Sequence, residues 1–361
     1  MIARLELANR EFIMTKHKKK SSYKEAGVDI EAAREAVDRF KARVARTFTP
    51  GVLSDVGSFG GMYSLAGLKI KEPVLVSSTD GVGTKLLVAR MAGRHNTVGE
   101  CLVNHCVNDI MVQGATPLFF MDYISVGKLA PAQIAEIMEG FITGCENNGI
   151  ALLGGETAEM PDLYGEEDYD LAGFIVGIAE RSELVTGEKV AAGHVLVGLP
   201  STGLHTNGYS LARKIIFTDL GHSIDDPLPG GRDETFGEAL LAVHKSYKKA
   251  LEALFSRKLI HAAAHITGGG LTDNLPRVFP GNLDAEIERS SWPVPPIFKF
   301  LIQAGRIDNQ EAYRVFNMGI GMVVIAAEDN LEDVAAVLGL QGEEAIIIGR
   351  IVPGSGKVIY R

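Results

Sequence analysis

From residue 74 onward, short apolar runs alternate with stretches of helical spacing. Val74–Ser78 is apolar and β-branched and ends in Thr79-Asp80-Gly81, a turn signal, which predicts a strand feeding a loop. Thr97-Val98-Gly99-Glu100 has the form of a capping box, and helical spacing then runs to Gly114 with Pro117 beyond, so a helix is predicted over 97–113. Leu118–Val126 reads as a strand and Pro131–Asn148 as an amphipathic helix opened by Pro and stopped by Gly149. Ile150–Leu153 and Leu171–Ala179 read as further strands. The pattern restarts at His194–Leu199, a strand followed by a Gly-rich loop and a helix over Gly208–Phe217. A helix over Phe236–Phe255 and strands near Gly321–Ala327 and Ala345–Ile351 complete it. The charged, weakly periodic stretch Glu180–Lys189 marks a boundary. Two α/β (α+β) domains are expected, over 21–182 and 183–361, after a 1–20 extension.

A length of 361 residues exceeds one average core, in keeping with two domains. With 46% hydrophobic and 22% charged residues the composition excludes disordered and fibrous classes. The chain has neither an uncharged apolar run of spanning length nor a continuous apolar leader, so a cytoplasmic protein is expected. The net charge of −9 divides unevenly, because residues 1–20 hold six Lys/Arg against two Asp/Glu. The body is therefore acidic, which argues against nucleic acid as the main ligand. A phosphorylated ligand would have to be held by metal ions and local amides. Lys16–Lys20 reads as a solvated tail, and Met14 as an alternative start. Cys101, Cys106 and Cys145 form no paired motif and read as reduced, buried thiols.

No P-loop, dinucleotide fingerprint, His-Glu-x-x-His or Gly-x-Ser-x-Gly occurs. Polar, Gly-rich loops at strand ends carry the chemistry instead. In Ser77–Lys85, Asp80 offers a hard oxygen ligand for Mg²⁺ and Lys85 a cation for phosphate; the plainer alternative is a turn with Asp80 as a cap. Asp109 lies near a helix C-terminus, where the dipole disfavours a carboxylate and a cation partner would explain it. Cys101, His105 and Asp109 are spaced as a ligand ladder, but Cys and His here are expected to face the core, with Asn104, Asn108 and Asp109 on polar neighbours. Glu156, in the loop Gly154–Pro161, would complete a metal site with Asp80 and Asp109. In the second half, Ser201–Ser210 with His205, and His265–Gly270 before a predicted helix from Thr272, place polar groups at helix starts, where anions bind. His261 and His265 have the spacing of one helical face but lack the companions of a zinc site. Gly57–Met62 is either a linker or a flap over a nucleotide.

The ordered set of segments resembles the phosphoribosylformylglycinamidine cyclo-ligase (aminoimidazole ribonucleotide synthetase) family. The segments are Ser22–Asp29, Thr79–Lys85, 109–117, Gly154–Pro161, His205–Ser210, His265–Gly270 and Phe316–Met322. One departure is Val243–Tyr247, where the family more often has Pro-Thr-Arg/Lys-Ile-Tyr. The resemblance implies a homodimer whose N-terminal sheets join into a barrel-like core, each subunit adding a C-terminal α/β domain. It implies ATP held by Gly60, Gly61, Asp80, Gly81, Gly83, Thr84, Asp109, Gly114, Ala115, Pro117, Gly154, Gly155, Glu156 and Thr157, with Mg²⁺ on Asp80, Asp109 and Glu156. Substrate would meet Thr206, Asn207, Tyr209, Thr267, Gly268, Gly269 and Gly270, and His205, His265 and Lys85 would serve catalysis. The implied reaction is ATP-dependent imidazole closure through an iminophosphate in purine biosynthesis, releasing ADP and phosphate. A small-molecule kinase and a non-catalytic ATP-binding scaffold are the alternatives.

Overall fold

The computed structural model describes residues 29–361, so the basic extension, Met14 and Ser22–Val28 lie outside the described residues. Helix α1 (Ile30–Val44) opens at Asp29, whose carboxylate accepts from the amides of Glu31 and Ala32 at 3.2 Å. Four strands follow: β1 (Pro73–Gly81), β2 (Thr116–Val126), β3 (Ala151–Glu159) and β4 (Tyr169–Glu180). They form one sheet in the order β1-β4-β2-β3, with β2 and β3 parallel and the other pairs antiparallel. Helices α2 (Lys85–Ala92), α3 (Val98–Met111) and α4 (Pro131–Asn148) accompany it. Ile175, Phe120 and Leu152, adjacent across three strands, are buried together on one face, while Phe174 and Leu75 stand exposed on the other.

Six strands form the second sheet: β5 (Val195–Pro200), β6 (Ala262–His265), β7 (Leu283–Ile287), β8 (Ile320–Ala326), β9 (Ile346–Pro353) and β10 (Val358–Tyr360). Their order is β10-β7-β9-β5-β8-β6, antiparallel except between β10 and β7. Around them lie α5 (Tyr209–Arg213), α6 (Phe236–Leu241), α7 (Lys248–Ser256), α8 (Gly270–Asn274), α9 (Pro296–Gly305), α10 (Asn309–Val315) and α11 (Leu331–Leu340). Every residue of β8 is buried, as its unbroken apolar run requires. Cys101, Cys106 and Cys145 are free, buried thiols.

Several local expectations are corrected. Thr79–Gly81 is not a turn but the end of β1, paired through Thr79 with Phe174 and through Asp80 with Gly173. The Gly154–Glu159 loop is likewise strand, paired with β2. Its glycine signal reflects packing, since a Cβ on Gly155 would fall 2.2 Å from Asp122 Oδ1. Thr97 makes no cap bond, and Glu100 instead accepts from Asn147 Nδ2 at 2.9 Å. His261 and His265 share no helix, because β6 occupies 262–265. The Gly208–Phe217 helix is only α5 before it widens into a π turn over Lys214–Asp219.

The helix expected over Phe236–Phe255 is broken at 242–247. That segment is held against α3 by side-chain amides, which compete with helix formation there. Asn104 Nδ2 donates to the His244 carbonyl at 2.8 Å, and Asn108 Nδ2 to the Lys245 carbonyl at 2.8 Å. Asn108 Oδ1 accepts from the Tyr247 amide at 2.9 Å, and Ser246 Oγ donates to Asn148 Oδ1 at 2.6 Å. One polar stripe on α3 thus docks the second half of the chain onto the first.

Candidate active site

The site forms where β1, α3 and the end of β6 meet. Asp80 extends from β1 and Asp109 from the last turn of α3, four residues after His105. His105 Nε2 lies 2.7 Å from Asp80 Oδ2 and 3.7 Å from Asp109 Oδ2. Asp109 also accepts from Ser78 Oγ at 2.9 Å and meets His265 Nδ1 at 2.8 Å. Where a cation partner was expected, Asp109 meets imidazoles, and burial lowers the pKa of the nearer one, His265. Burial opposes ionisation of both carboxyls, yet the bonds and charge of their histidines hold each below its usual range. Burial also opposes charge on His105, and Asp80 with Asp109 outweighs it to raise the imidazole. His105 faces these carboxylates rather than the apolar core, which corrects its expected placement.

Asp80, His105, Asp109, His265 and Thr267 line a cavity of about 540 Å³, with Asn274 and Arg277 from the second half. Behind it lie more histidines. His105 Nδ1 meets Thr206 Oγ1 at 2.7 Å, and Thr206 Oγ1 lies 3.4 Å from His244 Nδ1. His205 has a left-handed backbone, φ 61°, and stacks on His244 with centroids 4.0 Å apart. Burial drives both His205 and His244 well below the ordinary imidazole pKa. Gly321 packs so closely that a Cβ there would fall 2.5 Å from His205 Cε1 and 2.2 Å from the Tyr247 hydroxyl. Asn317 secures the same loop, donating from Nδ2 to the Gly203 carbonyl at 2.8 Å.

The remaining expected residues do not all converge here. Lys85 is fully buried and donates to the His205 carbonyl at 3.0 Å, the Ala242 carbonyl at 2.6 Å and Cys101 Sγ at 3.2 Å. It ties α2 to the second half and turns no ammonium toward the cavity. Tyr209 spends its hydroxyl on the Leu240 carbonyl at 2.6 Å. Glu156 pairs with Tyr123, which pairs with Ala172 and so with Gly81, the row next to that of Asp80. Side chains alternate between rows, so Glu156 and Asp80 point to opposite faces of the sheet, three strand spacings or about 14 Å apart. The three-carboxylate metal set is not assembled within one chain. Glu156 instead lines a second cavity of about 470 Å³ with Gly60, Gly61, Gly154, Gly155 and Thr157.

Gly114 and Ala115 line a third cavity, of about 630 Å³, beside the 181–189 linker. Pro117 is buried in β2 opposite Gly177, and Gly81 pairs with Ala172. Gly83 (φ 64°) precedes α2, and Thr84 Oγ1 meets Ser210 Oγ at 3.0 Å across the two halves. Asn207 Oδ1 lies 3.1 Å from where a Cβ on Gly268 would stand, so the His205 and His265 loops abut. Gly269 and Gly270, both at positive φ, carry that second loop into α8. Sequence reasoning missed His244 and Arg277. His244 had a signal, a histidine amid the departure at 243–247; Arg277 had none. Among the described residues no helix is long and apolar enough to cross a membrane.

Two sheets joined over a carboxylate and histidine cavity define a protein of the AIR synthase class. Residues 64–179 match the family model "AIR synthase related protein, N-terminal domain" and residues 191–361 match "AIR synthase related protein, C-terminal domain". The phosphoribosylformylglycinamidine cyclo-ligase of Shouchella clausii (strain KSM-K16) is 51% identical over 339 residues, covering 94% of this chain and 98% of that protein. That of Bifidobacterium animalis subsp. lactis (strain AD011) is 50% identical over 331 residues, covering 92% and 96%. The chain belongs to the phosphoribosylformylglycinamidine cyclo-ligase family. In fold it is similar to the thiamine-monophosphate kinase of Stenotrophomonas maltophilia K279a, with a TM-score of 0.67 at 17% identity over 90% of this chain and 95% of that one. It is also similar to the hydrogenase maturation protein HypE in complex with ATP, with a TM-score of 0.63 at 16% identity over 91% of each chain.

Proposed function

We propose that this chain is an ATP-dependent cyclo-ligase of purine biosynthesis that converts phosphoribosylformylglycinamidine to 5-aminoimidazole ribonucleotide, with release of ADP and phosphate. The observation that carries the reading is the convergence of Asp80, His105, Asp109 and His265 on one cavity, in a chain about half identical to cyclo-ligases over nearly its whole length. The γ-phosphoryl group passes to the formyl-amide oxygen, an internal nitrogen attacks the activated carbon, and phosphate leaves. Such transfers need positioning and charge neutralisation more than a protein nucleophile, roles that fit Asp80, Asp109 and their histidines.

Asp80 and Asp109 together fit Mg²⁺, which is commonly held by one or two carboxylates plus substrate phosphates. When bound, the ion neutralises phosphate charge. His265 orients Asp109 through Nδ1, and His105 holds a proton at Nε2 on Asp80 that the ring closure can use. This role fits His105 better than His205, which lies behind the cavity with Nε2 taken by the Thr202 amide at 3.3 Å. Asn207, Thr267 and Gly268 are proposed for the substrate side, joined by the exposed cation of Arg277, whereas Thr206 turns its hydroxyl to His105 and His244 behind the cavity. The glycines and Glu156 of the second cavity are proposed for the nucleotide. The chain is proposed to work in the cytoplasm as a homodimer of 21–182 domains, each followed by a 183–361 domain. Support for the dimer comes from the sheet face of Leu75 and Phe174, which are 62% and 46% exposed among the described residues.

The direct test is ATP hydrolysis with and without phosphoribosylformylglycinamidine, with the product analysed by mass. Substrate-dependent ADP release with loss of water from the substrate supports the reading. A stable phosphorylated product indicates a kinase, and ATP binding without turnover a scaffold.

A further inference from the structure

Lys85 and Cys101 meet where the two halves of the chain join, and the reaction proposed above uses neither. Both side chains are wholly buried, at 0% exposure. A lysine is almost never buried to that extent without an anionic partner. The hydrogen bonds of Nζ go to the His205 carbonyl at 3.0 Å, the Ala242 carbonyl at 2.6 Å and Cys101 Sγ at 3.2 Å, which occupies all three donors of an ammonium. None of these acceptors is a carboxylate. Tyr209, whose ring centroid lies 5.5 Å from Nζ, gives its hydrogen to the Leu240 carbonyl and stays a neutral phenol. Of the groups that Nζ touches, the Cys101 sulfur is left to supply the anion.

The surroundings of the sulfur select the same state. Sγ also receives the backbone N–H of His244 at 3.3 Å, so both of these polar neighbours are donors. A neutral thiol accepts weakly and has a hydrogen of its own to place. Cys106 differs, since its Sγ has a carbonyl to meet, that of Gly173 at 3.9 Å. One proton is contested between Nζ and Sγ. It belongs on the amine, whose ordinary pKa of about 10.4 exceeds the thiol's of about 8.5. A second proton, giving ammonium beside thiol, would leave a buried charge without a counter-ion.

We propose that Cys101 is a thiolate ion-paired with Lys85, and that this buried pair clasps the second half of the chain to the first behind the cavity. The two side chains stand on α3 and α2, and what they grip is backbone of the His205 loop and of segment 242–247. His205 has a left-handed backbone, φ 61°, a costly conformation for a residue other than glycine, and the ammonium on its carbonyl helps to hold it. Cys101 is thus a positioning residue that acts through Lys85. A thiolate beside a lysine is ordinarily reactive, and burial shields this one while the halves are docked. The clasp goes beyond the cyclo-ligase reading and does not depend on it.

The test reads the S–H stretching band of the full chain by Raman spectroscopy, after reduction with a phosphine that carries no S–H of its own. Of the three cysteines, two should appear as thiols in the native state and all three after unfolding in acid. Folded Lys85→Met should show the third thiol. Charge at the site is then varied at constant shape: Cys101→Asn should melt several degrees below Cys101→Asp, with faster amide exchange over 201–207 and 242–247. Should Lys85→Met fold poorly, the native count and the Asp and Asn comparison decide. Three S–H groups in the native wild type overturn the proposal. So does a folded Lys85→Met that still shows two, or a Cys101→Asn at least as stable as Cys101→Asp.

Discussion

His105 Nε2 stands 2.7 Å from Asp80 Oδ2, joining α3 to the end of β1 in the wall of the cavity. The pair sets a competition, because the carboxylate that would hold a metal ion is already held by an imidazole whose pKa is raised. Below that raised pKa the imidazolium holds Asp80 as an ion pair; above it the imidazole is neutral and holds the carboxylate by a hydrogen bond alone, which a metal ion displaces more easily. Apparent Mg²⁺ affinity in turnover should therefore increase as the pH rises through that raised pKa, on the alkaline side of the ordinary imidazole range. In His105→Gln this slope should flatten. A Mg²⁺ requirement in the wild type that does not change with pH across the His105 titration would show that Asp80 is not the contested ligand.

Lys85 behaves as a strut and not as a phosphate ligand. Lys85→Met strands the carbonyls of His205 and Ala242, each costing about 1–3 kcal/mol, so the variant should melt at clearly lower temperature and denaturant. A variant of full stability that has lost only ATP affinity would return Lys85 to the phosphate.

Asp122 is buried in β2 and its carboxyl is pushed up to about 7, first by burial and then by the charge of Glu156. Between the ordinary carboxyl pKa and 7 the folded state binds more protons than the unfolded one, so this group's contribution falls as pH rises through that window. Asp122→Asn should raise the melting temperature at about pH 8 and raise it less at about pH 5, where only part of the window has been crossed. Melting curves at both values check this; stabilisation at the lower pH alone would reverse the sign.

The exposed pair Leu75 and Phe174 predicts association through the open sheet face. Light scattering should give about twice the chain mass of 38.7 kDa, and Phe174→Glu should shift it toward one chain. A stable, active monomer of the wild type would refute the dimer.

Much of the fold was legible because burial writes itself as periodicity. α4 begins at Pro131 and ends at Asn148, where Pro and Gly149 punctuate the sequence, and β8 follows its apolar run. The misread segments are those where tertiary partners overrode local signals. Thr79–Gly81 carries turn residues yet pairs with the 12-residue β4, and the 236–255 periodicity is interrupted because Asn104 and Asn108 capture the backbone at 244–245. Asp80, Asp109 and His265 were each legible as candidates because each lies at the end of an element, but the sequence grouped the two aspartates with Glu156 and His265 with His205. Which residues share a face was not: Glu156 fell on the far side of the sheet, and His105 turned inward to Asp80, since strand register and helix rotation are set by partners distant in sequence.

In the proposed mechanism ATP activates the formyl-amide oxygen before the ring closes, and the fate of that oxygen decides whether it does. An amide oxygen leaves poorly as hydroxide, so it must depart as phosphate. Substrate labelled with ¹⁸O at the formyl amide should deliver the label to inorganic phosphate, with ADP as the other product and 5-aminoimidazole ribonucleotide formed in equal amount. Label found in water and not in phosphate would contradict the account.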